Sequence, residues 1–452
     1  MGGERVDDDQ DDIGAFLREH PLAYAAYRID YLLEHDRDIA ERDEIPFLTA
    51  VVFPVVLCGY VVLARARGVA RRLLGGETPP TVGPDGHLFV MSSQSGYRTE
   101  TFLDVAGRLD DDGQDVVLLC SPSAESRQAE WDREGFVTTA HRSLHGHLKL
   151  HRVVTNAVVA AVLVYRLHRI AGIPRRRLSL CYNFLLLESV KRETIEELVD
   201  GTPKIHTFSP MPYIIDASVP DRTFVYQHGL QQPIGGRIMA APFFAPLTYL
   251  LWGEPWRDTF GQYAHPGSRL EVVGSPWHDQ LAETGSESGQ TSYDVLFVSG
   301  SHAAVDSVIE SDFEQLVRNV VEYCEREERS LAIKLHPLET AAWFEERGWA
   351  EYVVDFDDID DALVASRVSV TNGSTAFIES AVLGVPAIVA DLWEYDLDEL
   401  APMRDVTFTN GPDVAPALEA ALSDPGRDAD ARLPVRVGNA TDRIVAVVTA
   451  AP

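Results

Sequence analysis

The stretch Thr371–Ile388 (TNGSTAFIESAVLGVPAI) holds the residue types best placed to do chemistry. A strand ends at Thr371 and Asn372-Gly373 makes the turn, so Ser374 and Thr375 stand where a helix begins. Hydroxyls and unpaired backbone N–H groups at a helix N-terminus, beside the positive end of its dipole, bind phosphate. Glu379 follows Thr375 by one helical turn on the same face, where a carboxylate can accept hydrogen bonds from ribose hydroxyls. An Asn-Gly turn, an N-cap serine and a helix closed by Gly384 would write the same letters with no ligand.

Other strand ends add candidates. Lys334-Leu335-His336-Pro337 ends a strand at an imidazole, and the proline keeps that residue extended, so His336 can donate to a phosphate oxygen. Tyr226-Gln227-His228-Gly229 ends another strand, where His228 could take a proton from a hydroxyl or serve structure alone. Ser299-Gly300-Ser301-His302 is either a phosphate-lining loop or a plain turn. Ser92–Glu100 (SSQSGYRTE) occupies the matching place in the first half and offers Tyr97, Arg98 and Glu100 to a second substrate. Asp355 and Asp357 imitate a metal-binding pair, but an acid-rich chain makes such pairs by chance, so no metal and no resident cofactor is expected.

These residues need a frame. From His87 onward strand and helix patterns alternate, which predicts parallel sheets built of βαβ units. The Gly/Ser-rich stretch Glu283–Ser292 separates two such sets, giving Rossmann-like domains over 81–282 and 283–452 that face a cleft at the carboxyl ends of their strands. Residues 1–80 form an extension: an acidic tail, a helix around Ile13–Ala40, and the uncharged run Ile45–Ala64. At 1.5 Å per residue that run of 20 is about 30 Å long, enough to cross a hydrocarbon core. Arg65, Arg67, Arg71 and Arg72 behind it would keep the bulk of the protein cytoplasmic. The other expectation is a buried hairpin broken at Pro54. Asn156–Tyr165 is apolar too, but the uncharged run between Arg152 and Arg166 is too short to span and reads as a core helix.

Composition limits the partners. The 452 residues include 70 acidic and 39 basic side chains, a formal charge of −31, so no basic face is available to displace counterions from nucleic acid. Only Lys149, Lys191, Lys204 and Lys334 are lysine, and this acid-rich, lysine-poor balance resembles that of haloarchaeal proteins. Cys58, Cys120, Cys181 and Cys324 stand too far apart to mark a zinc site or a disulfide framework.

Taken in order, QHG after a strand, VVGSPWHD (Val272–Asp279), KLHP and NGSTAFIESAVLGVPAI resemble the GT-B glycosyltransferases over roughly residues 85–425. Within these the chain most resembles the CDP-glycerol glycerophosphotransferase and capsule polysaccharide synthesis group, with a likeness to bacterial sialyl- and polysialyltransferases. The resemblance implies that His228 acts as, or beside, the general base. It implies that His336, Ser374 and Thr375, with Gly373 in the turn, hold the donor phosphates, and that Glu379 binds ribose. The group tends to have Ser and Asp where this chain has Thr375 and Glu379, and Trp where it has Tyr226-Gln227. An acid of this kind is similar to that of sugar-nucleotide enzymes and favours a glycosyl donor.

The expected activity is a metal-independent transfer of a sugar, or a sugar-like phosphate group, from a nucleotide-activated donor. The acceptor would be a surface glycan or lipid-linked molecule at the cytoplasmic face of the membrane. One rival is a sugar-nucleotide 2-epimerase, against which stands the lack of a GTRPE-like first loop. The other is a non-catalytic, membrane-tethered scaffold with a degenerate nucleotide site.

Overall fold

Runs of four to six residues such as Val116–Cys120 (VVLLC), buried on both faces, are too short for core helices and suit the interior of a parallel sheet. In a computed structural model they form two such sheets. The structure describes residues 13–28, 57, 80–91, 96–121, 124–140, 150–196, 198–199, 201–208, 214, 220–228, 244–284, 291–300, 307–336, 339–372, 374–392, 403, 405–423 and 433–451.

The first lobe runs β1 (His87–Met91), α1 (Gly96–Asp111), β2 (Val116–Cys120), α2 (Gln128–Arg133), β3 (Val137–Ala140), α3 (Leu150–Ala171) and α4 (Leu178–Glu196). It continues with β4 (Lys204–Thr207), β5 (Thr223–Tyr226), β6 (Thr248–Leu251), α5 (Glu254–Tyr263), β7 (Arg269–Val272) and α6 (Pro276–Thr284). Its seven strands lie in the order β3-β2-β1-β4-β5-β6-β7, every pairing parallel.

The second lobe runs β8 (Tyr293–Val298), α7 (Ser307–Arg326), β9 (Leu331–Lys334), α8 (Ala342–Glu346), α9 (Ile359–Val364), β10 (Ser366–Thr371), α10 (Ala376–Leu383), β11 (Ala387–Asp391), β12 (Val406–Asn410) and α11 (Ala415–Ser423). Its order is β12-β11-β10-β8-β9, again parallel. The fold is thus the expected pair of Rossmann-like parallel-sheet domains. In each sheet the chain reverses its direction of travel once, between β1 and β4 and between β8 and β10. Ligands of such sheets bind outside the strand carboxyl ends at that switch point.

The lobes share a core. Trp252 and Trp256 of the first lobe belong to one buried cluster with Phe377, Ile378 and Val389 of the second, and α6 packs against α10. Residues 433–451, which the sequence assigned to the second domain, pack on the first. Their helix α12 (Ala440–Ala450) lies against α1 and buries Ile444, Val445 and Val448 among Phe102, Val105 and Leu109.

The motif Val272–Asp279 makes this return possible. Gly274 sits at φ +83, and a Cβ there would meet the Arg436 carbonyl oxygen at 2.1 Å, so only glycine lets the returning chain lie so close. Asp279 accepts from the backbone N–H groups of Gly438 and, at 2.6 Å, Ala440, capping α12.

Two expectations for the helices change. The helix expected over Ile13–Ala40 is broken within the described residues, helical over 13–19 and 23–28 with a turn between. Pro21 lacks the N–H that would continue the first segment, and the Ala23 N–H bonds the His20 carbonyl instead. Phe16, Tyr24 and Tyr27 bury themselves in the shared core. Helix α3 is not a simple core helix. It has 22 residues, and only its inner stripe, including Val153, Ala160, Leu163 and Leu167, is buried. The arginines bounding the apolar run do not end it: Arg152 pairs with Glu196 at 3.1 Å, and Arg166 stacks over Phe16 at 4.9 Å. The run 45–64 lies outside the described residues except for Leu57, which is buried.

Candidate functional site

Three adjacent strands, β9, β8 and β10, bring the second-lobe candidates to one end of their sheet. Ser299 and Gly300 leave β8, His336 follows β9, and Asn372, Ser374 and Thr375 follow β10. Their loops are tied to one another by side chains. Glu339 accepts from the Ser299 hydroxyl at 2.9 Å through one oxygen and from the His336 backbone N–H at 2.9 Å through the other. On the other side the Gly300 N–H donates to Asn372 Oδ1 at 2.7 Å. A Cβ on Gly300 would stand 2.7 Å from that same oxygen, so the contact needs glycine.

The turn after β10 is internally braced. The Ser374 N–H donates to the Thr371 hydroxyl at 3.2 Å, and Ser374 Oγ accepts from the Ala376 N–H at 3.3 Å. Ser374 therefore caps α10 as an N-terminal serine does, with a long bond. Thr375 is the last residue before the helix and is half-buried.

Glu379 lies on the first turn of α10, yet it is buried, at 8% exposure, and Oε2 has no hydrogen-bond partner. Burial pushes its carboxyl pKa up to about 8, so the group is mostly a neutral acid at pH 7. Asn372 Nδ2 is likewise buried without a partner. A buried polar atom that nothing meets costs about 1–3 kcal/mol.

The first lobe is organised differently at the corresponding end. His228 follows β5, is half-buried, and meets the Phe208 ring edge-on with centroids 6.3 Å apart. Gln227 is buried, and its Oε1 accepts from the Trp252 N–H at 2.9 Å, tying β5 to β6. Its Nε2 has no partner and borders a small cavity with Thr101, Tyr226 and Ser275.

Behind β5 a buried polar chain crosses the sheet. The Tyr226 hydroxyl lies 2.9 Å from His206 Nδ1, and His206 Nε2 lies 2.9 Å from His87 Nδ1. Burial holds the His206 pKa well below the ordinary value. At His87 burial and the nearby Lys204 charge outweigh Asp115 and lower it to about 4, so both rings are neutral.

His278, in the Val272–Asp279 motif, is packed edge-on to Trp252 at 5.0 Å, with its pKa lowered to about 3 by burial. That histidine is structural.

The structure therefore brings Ser299, Gly300, His336, Ser374 and Thr375 to one sheet end, with Glu379 buried on the first turn of α10, while His228 belongs to the other sheet. Gly373, Ser301 and His302 lie outside the described residues, as do the side chains of Tyr97 and Arg98; Glu100 is exposed on α1. Glu339 and the side chain of Asn372 were not singled out by sequence. The signal for Glu339 was present in HPLE, an acid three residues past the histidine at a strand end.

No family model and no curated protein matches the chain. Among solved structures it is similar to the UDP-GlcNAc 2-epimerase from Methanocaldococcus jannaschii, at 9% identity over 81% of this chain and 99% of that one, TM-score 0.46. It is also similar to Acinetobacter baumannii MurG, at 11% identity over 81% and 99%, TM-score 0.37. A third similar structure is the wall teichoic acid polymerase TagF soaked with CDPG, at 9% identity over 86% and 96%, TM-score 0.38.

Proposed function

We propose that the protein is a GT-B transferase that moves a sugar, or a sugar-like phosphate group, from a nucleotide-activated donor to a glycan or lipid-linked acceptor at the inner face of the membrane. The observation that carries this reading is the braced polar end of β8, β9 and β10, where Ser299, Glu339, His336, Gly300 and Asn372 are hydrogen-bonded to one another. A nucleoside diphosphate has the matching parts: phosphates for the N-terminus of α10 and His336, and ribose hydroxyls for Glu379.

As the donor bond breaks, the leaving diphosphate gathers negative charge. Ser374, Thr375, the start of α10 and His336 would stabilise that charge without a metal. The acceptor hydroxyl must lose a proton as it attacks, and His228 is the proposed base. Transfer that survives EDTA is expected, and its complete loss on chelation would remove the metal-free part of the reading.

The direct test is thermal shift with CDP, UDP, GDP and CMP, since a ligand held by the native form raises its melting point. One diphosphate should stabilise the protein, and His336→Ala should remove most of that shift. No shift with any of the four would sink the donor site. Incubation with UDP-GlcNAc alone separates transfer from epimerisation, which needs no acceptor.

The acid-rich surface further suggests a salt-filled cytoplasm, where screening relieves self-repulsion. The melting point should then climb steadily with KCl.

A further inference from the structure

Helix α3 carries two apolar stripes and needs only one for folding. The inner stripe packs on α4 and the shared core. The outer stripe runs Val154, Val158, Val162 and Tyr165, spaced at one helical turn, each 52–62% exposed, with Val159 and Ile170 beside it. From Val154 to Tyr165 this is about 17 Å of apolar surface. Exposed apolar side chains in such a row mark a contact with something outside the folded body.

The charge around the stripe is the second observation. Residues 150–177 contain six arginines (Arg152, Arg166, Arg169, Arg175, Arg176 and Arg177) and no acid, in a chain whose net charge is −31. Arg169 continues the outer stripe at its C-terminal end, and Arg175 and Arg176 are exposed just beyond. The neighbouring acids of α4 are engaged within the body: Glu193 accepts from Asn156 at 2.7 Å, and Glu196 pairs with Arg152 and Arg192.

We propose that the outer face of α3, with Arg169 and Arg175, is the surface by which this protein lies on an anionic lipid bilayer. The charge pattern selects this occupant over a second copy of the chain. A second copy pairing through the same stripe would bring basic helix ends together in either orientation, with no acid on the helix to offset them. The competing cover is the uncharged run 45–64, preceded by Glu41, Asp43 and Glu44, and flotation of the valine variant distinguishes it from lipid. Anionic headgroups above acyl chains satisfy both features, the geometry of an interfacial amphipathic helix.

Nor does α3 span the bilayer. It is long and apolar enough, but its inner stripe and Asn156 are committed to the protein. It lies in the interface plane, so the lobe sits against the membrane surface. Salt shortens the reach of the arginines but strengthens apolar burial, so the valines carry the attachment and the arginines favour anionic lipid.

The inference takes its relevance from the membrane-face reading above, but it uses no donor-site residue. Its test is therefore separate: flotation of the full chain with phosphatidylglycerol or phosphatidylcholine vesicles, alongside thermal shift by the nucleotide without lipid. The parent should float with phosphatidylglycerol and at least tenfold less with phosphatidylcholine. The double substitution Val158→Glu and Val162→Glu should lower flotation at least tenfold while its melting point and nucleotide shift stay those of the parent. Arg169→Glu with Arg175→Glu should abolish the lipid preference.

Equal flotation of parent and valine variant would assign attachment to another segment, such as 45–64, and overturn the proposal. So would a dimer, seen by light scattering without lipid, that the valine variant dissolves while flotation persists. Loss of the nucleotide shift with flotation intact would sink the donor site and leave this surface standing.

Discussion

The carboxyl ends of the two sheets are built from different materials. In the second lobe Ser299, Glu339, His336, Gly300 and Asn372 are joined by side-chain and backbone bonds that tie together the ends of three strands. In the first lobe the same end is aromatic. Phe208, Tyr226 and the half-buried His228 stand there, backed by the neutral His87–His206–Tyr226 chain. A fixed polar cradle suits a highly charged group whose position must not vary. An imidazole at a strand end beside aromatic rings suits the proposed proton transfer. The difference predicts a division of labour, with donor affinity in the second lobe and turnover in the first.

The largest break in that comparison is His228→Ala. If His228 is the base, turnover should fall by about 10²–10⁴-fold while the nucleotide-induced thermal shift stays that of the parent. A variant that loses the shift and keeps its rate would reverse the two lobes' roles.

Glu339→Ala should do the opposite at smaller size. It removes two bonds to a carboxylate, worth about 1.5–3 kcal/mol each, and frees the loops after β8 and β9. Donor KM should rise about tenfold or more, with turnover changed far less. Glu339→Gln keeps one acceptor oxygen and should recover part of the affinity. Titration of both variants with the stabilising nucleotide separates lost positioning from lost fold, because a misfolded variant would not recover with glutamine.

The parts visible in the sequence were those set by local pattern. Apolar runs such as Val116–Cys120 and Val295–Val298 announce buried strands by themselves, and Thr371 to Thr375 announces a strand end, a turn and a helix start. What stayed hidden depends on contacts far apart in the chain. Nothing in 433–451 marks it for the first lobe, since Ile444 and Val448 would suit any apolar surface; the partner is Asp279, one acid among 70. Helix α3 was misread because Arg152 and Arg166 look like the ends of an apolar run, although both have places beside it. The burial of Glu379 was hidden for the converse reason. In an acid-coated chain a glutamate on a helix reads as solvated surface, and only the folded structure shows it buried.

Glu379 also supplies the smallest and most diagnostic prediction. Its folded-state pKa, about 8, lies above the ordinary 4.5, so between those values the folded chain holds a proton that the unfolded chain releases. The stabilising effect of that proton is fully present below pH 4.5 and is lost as pH rises through about 8. Glu379→Gln has nearly the same shape and no proton to lose. The melting points of parent and variant should therefore coincide near pH 4 and separate by a few degrees by pH 9, with the variant the more stable.

The same variant asks which form of the acid meets the ligand. If ribose hydroxyls meet the neutral acid, glutamine should preserve nucleotide binding at pH 7, and parent affinity should fall above pH 8. If they meet the carboxylate, the ligand must draw a proton off Glu379. Parent binding would then release about one proton at pH 7, measurable in buffers of different ionisation enthalpy, and Glu379→Gln would bind weakly at every pH. An affinity indifferent to both pH and substitution would remove Glu379 from the donor site and leave its buried carboxyl without a role in binding.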